Sequence, residues 1–541
     1  MIRLLFVIPI LVFIACNKKS YVNTTRQLLV RDLESLDTHL KSRFLDGYKE
    51  VGDAGSGHIS LTKKENLSID NGVVFASSKK GFVWQRRMQD TIKLSFYNID
   101  NSGDTEVTNI VQAAIETAHV LDVGVIHFQD GKYLIDQLDF HPGVEFLGSK
   151  HTILFKMPSD DRFKRLFTSK KNQYFSDSPS NWLKFTNLKF DGQSELCGLY
   201  NKFELEHQQL IFLAAQQDSK GRLRVEINNC HFQNGTSDGI HVYHNVDARI
   251  YNCTAENVFR GGIVIGGGNS KIVVNNFASW GNRHKTGIDV EVDGKGYKQS
   301  YRVDIKMTNL KLAGDCDIAV RDGYFYGKNI KCTESPYNFA ARNGTIFIED
   351  SEFHSSSEEP GKFVIPSSVS FSKCKFIHHS NGKDIDVANI IQWNSQNFKG
   401  KNERVIFDKC TFNRNGDKVQ KSIAIKGLTD VSNRENLLVL KNCSISDEFN
   451  TGISFEYGGN LSLESSNIDS DLPIYLGSNN TNGNFNYKAT IKDLRTRNDV
   501  NVKINYKEHK NNVIILKGES IDKSEIRSIK GISKSKIIRN N

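Results

Sequence analysis

Five short segments of this 541-residue chain carry the side chains best suited to chemistry. They are Gly239-Ile240-His241-Val242-Tyr243-His244, Gly262-Ile263-Val264-Ile265-Gly266, Gly287-Ile288-Asp289-Val290-Glu291, Ile318-Ala319-Val320-Arg321-Asp322 and Phe339-Ala340-Ala341-Arg342-Asn343. In each, apolar residues recur at every second position, the mark of a strand with one buried face. Aligned on that alternation, one outward column reads His241, Val264, Asp289, Ala319, Ala340. The next reads Tyr243, Gly266, Glu291, Arg321, Arg342. Loops entering the same face add Asp238, Arg260, Arg283, His284 and Lys285. His, Tyr and Lys move protons, Arg pairs with carboxylates or sulfates in a fork, and aromatic rings stack on sugars. A Glu291–Arg321 pair alone would be an ordinary cross-strand ion pair. Gathered around small residues that leave a trough, the set is what a sugar-polymer groove requires.

Such columns exist only if many strands stack in parallel, and the chain carries a repeat that does this. The pattern apolar–x–apolar–x–x–Cys/Asn/Ser ends at Cys230, Cys253, Asn276, Asn309, Cys332, Ser351, Cys374, Cys410, Cys443 and Ser466. Most spacings are 19–23 residues, with a few longer ones. That is one coil of a parallel solenoid with loop insertions, and equivalent positions then stack about 4.8 Å apart. The fold class is therefore all-β, a parallel β-helix. Without a repeated Leu consensus, a leucine-rich repeat is excluded. Six of the nine cysteines fall on the ladder and no CxxC is present, so they read as small buried groups rather than metal ligands or disulfides.

The repeat is preceded by a distinctive opening. Residues 96–104 (Phe-Tyr-Asn-Ile-Asp-Asn-Ser-Gly-Asp) lead into an amphipathic helix with Thr108 as N-cap and Ile110, Val111, Ala114, Ile115 and Ala118 on one face. Short strands at 124–128, 131–135 and 144–148 follow. This order resembles the start of the pectate-lyase-like right-handed parallel β-helix superfamily, where such a helix caps the open first coil. The superfamily holds polysaccharide lyases, polygalacturonase-type hydrolases and alginate epimerases.

Thr236-Ser237-Asp238-Gly239-Ile240-His241 is similar to the Asn-Thr-Asp-Gly-Ile segment that carries one catalytic carboxylate in polygalacturonase-type hydrolases. Their following Asp pair is replaced by Arg260-Gly261, and their Gly-His-Gly by Lys285-Thr286-Gly287. Inverting hydrolysis needs an acid and a base across the bond, so the resemblance implies elimination instead. A base then removes the C5 proton of a uronate whose carboxylate has been neutralised. On this reading Tyr243 or His241 exchanges protons with the sugar, with Lys285 the reserve base. Arg260, Arg321 and Arg342, with Asp238 and His284, hold the substrate. Asp289 and Glu291 either orient these groups or hold Ca²⁺. Alternatives are hydrolysis with Asp238 plus Asp289 or Glu291, and a non-catalytic glycan-binding β-helix.

The N-terminus sets the compartment. A basic start at residues 1–3 precedes an apolar run over 4–15, too short to span a bilayer, and then Cys16. This resembles a bacterial lipoprotein signal, which implies export and a lipid anchor on Cys16. Four parts are expected: 1–16 signal; 17–95 a partly helical leader, with helical periodicity over 24–45; 96–485 the β-helix; and 486–541 a cap or basic tail. The net charge is +9, but residues 501–541 hold ten Lys/Arg against four Asp/Glu, so charge says little about the ligand. The expected partner is an acidic polysaccharide, not nucleic acid, bound by a monomer.

Overall fold

The computed structural model describes residues 27–540, less some single positions and short stretches, chiefly 170–181, 216–220, 292–301, 356–361, 380–389, 394–403, 430–436, 478–486 and several after 492. Cys16 and the signal lie outside the described residues, as does Lys285.

Parallel strands wind into a right-handed β-helix. Each central coil has three strands, as in Leu223–Asn228, His231–Gln233 and Ile240–Val242. The first two kinds of strand merge into one long bent sheet, and the third kind stacks into a separate sheet of 15 strands among the described residues. Parallel register puts like side chains on top of each other. Phe190 and Phe232 stack at 4.8 Å, Phe146 and Phe185 at 5.1 Å, and Phe376 and Phe412 at 5.0 Å. These distances match the spacing of neighbouring strands, about 4.8 Å, so the core is a column of aligned rings.

The bend between the first two strands explains the repeat, and corrects its register. Asn187, Asn229, Asn252, Asn276, Asn309, Asn329 and Asn442 all have positive φ near 50–60°. Asn tolerates this left-handed conformation better than other residues with a Cβ. Their amides also bond along the stack: Asn276 Nδ2 donates to Asn252 Oδ1 at 2.9 Å, and Asn329 Nδ2 to Asn309 Oδ1 at 2.8 Å. The inward Cys sits one residue later. Cys253 therefore stands beside Phe277, not Asn276, and Asn309 likewise belongs to the bend. Cys332 lies further along, between Leu312 and Phe353. All eight described cysteines are buried and free, and Cys253 Sγ–H lies 3.6 Å from the carbonyl of Ile227 in the preceding coil.

Both ends depart from expectation. Residues 27–45 form a short 3₁₀ turn, Val30–Asp32, and a strand, Ser42–Leu45, instead of a helix. That strand belongs to a four-stranded antiparallel sheet with Gly57–Lys63, Val74–Phe75 and Phe82–Arg86. Leu33 packs there with Leu45, Ile59, Phe75 and Trp84, so the leucine spacing reports one buried side rather than a helical face. Buried Arg86 donates to the carbonyls of Gly72 and Gly55 at 2.9 Å and lies 4.4 Å over Phe96, tying this sheet to the first coil. Coil pairing already begins at Thr91–Lys93. At the other end, Val502–Asn505, Val513–Lys517 and Lys536–Asn540 continue the parallel pairing, so alternating Ile and Val outweigh the lysines that suggested a tail.

The capping helix is α1 (Thr108–Val120). Val111, Ala114, Ile115 and Ala118 are buried against the first coil, but Ile110 is exposed. Val107 is the N-cap, and the Thr108 hydroxyl instead accepts from the Asp136 amide at 2.8 Å.

Candidate active site

The 15-stranded sheet carries the columns, and its register differs from the expected one. Moving along the stack, the outward positions are Phe212, His241, Val264, Asp289, Asp317 and Asn338. The neighbouring column places Gly266 beside Glu291, then Ala319 and Ala340. A register shift between Thr286 and Ile288 brings Asp317, not Ala319, beside Asp289. Arg321 and Arg342 pair with each other one outward position further on, about 7 Å along the strand. Glu291 therefore pairs with Ala319 in the register, and its side chain lies 3.6 Å from Arg260.

Three coils converge on Arg260. Its Nε lies 3.7 Å from Asp238 Oδ1, and one terminal nitrogen lies 3.7 Å from Asp289 and 3.6 Å from Glu291. Burial would lower the guanidinium pKa, but Asp238, Glu291 and Asp289 together raise it. Arg260 thus stays cationic and links the carboxyl group on one side of the Val264 coil to two on the other.

Asp238 is fully buried and accepts at 2.9 Å from His241 Nδ1. A carboxylate can only accept, so the proton rests on Nδ1 and the Nε2 lone pair is left for the groove. Gly266 makes room for it: a Cβ there would meet Tyr243 Cδ2 at 3.3 Å and His241 Nε2 at 3.5 Å. The Tyr243 and His241 rings are 6.0 Å apart.

Asp289 has the opposite character. Burial first, then the charges of Glu291 and Asp317, push its pKa up to about 9, so it is neutral at physiological pH. Its Oδ1 has no hydrogen-bond partner among the described residues. This pair does not fit Ca²⁺: the Arg260 cation already lies 3.7 Å from one carboxyl and 3.6 Å from the other and supplies the positive charge that the ion would bring. Among the described residues no three His, Cys, Asp or Glu side chains are placed to hold a metal.

Asp238, His241, Arg260, Asp289 and Glu291 thus form one cluster, with Tyr243 at its edge. His284 is at the rim, its ring edge-on to Phe259 at 4.4 Å. Arg283 is structural, donating through Nε to Asn257 Oδ1 at 3.2 Å. Two contributors were not foreseen. Asp317 was readable, because Cys316 and Ile318 point inward and force it outward. Phe212 extends the groove by a coil and carries the Arg165 guanidinium 3.7 Å over its ring, a contact between a strand and a loop distant in sequence that spacing does not reveal.

Coil, capping helix and groove together define a right-handed parallel β-helix with a capped first coil. Within it, residues 92–314 match the family described as rhamnogalacturonase A/epimerase, pectate lyase-like, a segment that contains the whole cluster. No curated protein matches the chain by sequence. Solved structures share the fold at low identity. The mannuronan C-5 epimerase AlgE6 A-module of Azotobacter vinelandii is 12% identical, with a TM-score of 0.44 over 75% of this chain and 99% of that one. The glycan biofilm modifying enzyme WceF of Pantoea stewartii is 14% identical, with a TM-score of 0.40 over 72% of this chain. The present chain spans about half of WceF, 48% of its length. The family 28 exopolygalacturonase of Yersinia enterocolitica is 11% identical, with a TM-score of 0.34 over 83% of this chain and 85% of that one.

Proposed function

We propose that the protein cleaves an acidic, uronate-containing polysaccharide by β-elimination. The observation that carries this reading is the Arg260 cation 3.7 Å from the buried Asp289 carboxyl, two coils along the same outward column from a His241 held through Nδ1 by Asp238. A uronate carboxylate laid against Arg260 accepts its fork and the Asp289 proton, which lowers the cost of charge developing at C5. His241 Nε2 takes the C5 proton, and buried Asp238 stabilises the imidazolium that forms. Electrons from the C5–H bond make the C4=C5 double bond, the C4–O bond breaks, and Tyr243 gives its phenolic proton to the departing oxygen.

Hydrolysis is the second reading, because a protonated Asp289 has the state of a general acid. It requires a second free carboxylate about 5–9.5 Å away. Glu291 is hydrogen-bonded to Asp289, and Asp238 is buried against His241 and Arg260. Incubation with pectate, alginate and chondroitin sulfate separates the readings. Elimination gives the ultraviolet absorbance of an unsaturated uronate. New reducing ends without it would establish hydrolysis, and altered uronate stereochemistry without cleavage would establish epimerisation. Binding with no chemical change would leave a glycan-binding protein.

Export with a lipid anchor on Cys16 is part of the same proposal and rests on the first sixteen residues alone. Among the described residues no helix is long and apolar enough to cross a membrane. Palmitate incorporation by the full chain in a bacterial host, lost in Cys16→Ser, is the expected result. Equal labelling of both would exclude it.

A further inference from the structure

A second surface offers the same chemistry without the catalytic groups. On the long bent sheet, next to the groove sheet rather than on it, a depression of about 470 Å³ is lined by Lys271, Val273, Asp304, Lys306, Tyr324 and Tyr326, among others. Lys271, Asp304 and Tyr324 form one outward column, and Val273, Lys306 and Tyr326 the next. Tyr324 is 42% exposed, which is unusual for a ring of that size on a strand. Tyr326 is held still: its ring stacks on Phe347 at 5.8 Å and its hydroxyl donates to Glu349. The two tyrosines stand two residues apart on one strand, so their rings share a face about 7 Å apart.

The charges of this surface decide what it fits. Asp304 is matched by Arg302, whose Nε lies 3.2 Å away. Lys271 and Lys306 are exposed and in no ion pair among the described residues. Lys306 lies 5.8 Å over the Tyr326 ring. Further along the same sheet Arg249 stacks 4.4 Å over Trp182, and Arg249 pairs directly with Val273 of the depression. Cations and aromatic rings therefore alternate along several coils. Sugar C–H faces suit the rings, and regularly spaced carboxylates suit the unmatched cations.

We propose that this face is a second, non-catalytic binding site for an acidic polysaccharide, which holds the polymer while the groove acts on another stretch of it. The assignment of substrate class rests on the function proposed above. Electrophoresis of the full chain through gels containing polygalacturonate, alginate or dextran tests it, alongside kinetics on short oligouronides. Tyr324→Ala with Lys306→Ala should weaken retention by an acidic polymer about tenfold, equivalent to ~1.4 kcal/mol. Lys271→Glu with Lys306→Glu should abolish it. Turnover of short oligouronides should be unchanged in both, which also reports that the variants fold. Retention unaffected by either double variant, or lost equally for neutral dextran, would overturn the site. If oligouronides are cleaved but retention is unaffected, the second site falls and the function stands. If no acidic glycan is cleaved yet retention falls in these variants, the site stands and the function falls.

Discussion

His241→Ala is expected to lower kcat on the cleaved polysaccharide by about 10³-fold while changing KM little, the loss typical of removing a positioned general base. The imidazole contributes proton transfer at one carbon, and substrate affinity comes from Arg260 and the aromatic surfaces around it. Asp238→Asn is the sharper variant of the pair. An amide can donate to His241 Nδ1, which would place the imidazole proton on Nε2 and leave the groove facing a donor instead of a base. The expected loss is about 10²–10³-fold. Free imidazole should restore part of the activity of His241→Ala, because the cavity beside Gly266 remains, and should not restore Asp238→Asn. A structural role for His241 would give no rescue. Activity within threefold of the parent in His241→Ala would remove His241 from the mechanism and return the choice of base to Tyr243 or Lys285.

The fold was legible because a solenoid repeats its physical demands once per coil. Each bend needs a left-handed residue and each inward strand position an apolar one, so Asn229, Asn252 and Asn329 recur with Val, Ile and Phe around them. The register was less legible. Cys and Asn occupy adjacent positions at the bend, and a search that treats them as equivalent slips by one residue, as at Asn276 and Asn309. The site suffered from a similar slip. Alternation fixes which face a residue takes but not which neighbour it meets, and the shift between Thr286 and Ile288 moved Arg321 and Arg342 away from Glu291 and brought in Asp317. Asp238, His241 and Arg260 were found because each is charged or titratable within a glycine-rich stretch. Their mutual roles were not, since the 3.6–3.7 Å reach of Arg260 across a whole coil depends on its rotamer. At residues 27–45 a leucine pattern compatible with a helix was overridden by pairing with a small antiparallel sheet.

Asp289→Asn should uncouple stability from activity, and pH shows how. Burial and the charges of Glu291 and Asp317 hold the folded-state pKa near 9, against 3.8 for an unperturbed Asp. Between those values the folded chain keeps a proton that the unfolded chain releases. Folding then takes up a proton, and the stability tied to this group falls as pH rises from about 4 towards 9. Asn has no proton to lose. Asp289→Asn should therefore melt above the parent at pH 8, by an amount worth about 1 kcal/mol or more, and the gap should close as pH approaches 4. Activity should move the other way. The amide still donates a hydrogen bond to a uronate carboxylate, but a weaker one than a carboxylic acid gives, so kcat should fall about tenfold, the equivalent of ~1.4 kcal/mol. The parent should lose activity as pH passes 9, when Asp289 ionises and repels the substrate carboxylate, and the variant should lack that limb. Thermal melts at pH 4, 6 and 8 with kcat/KM profiles of both proteins check the two halves together. An alkaline limb that survives in Asp289→Asn would assign that ionisation to another group, Tyr243 first among them. A variant less stable than the parent at pH 8 would mean that Asp289 is ionised in the folded chain and acts as a partner of Arg260, not as a neutral donor.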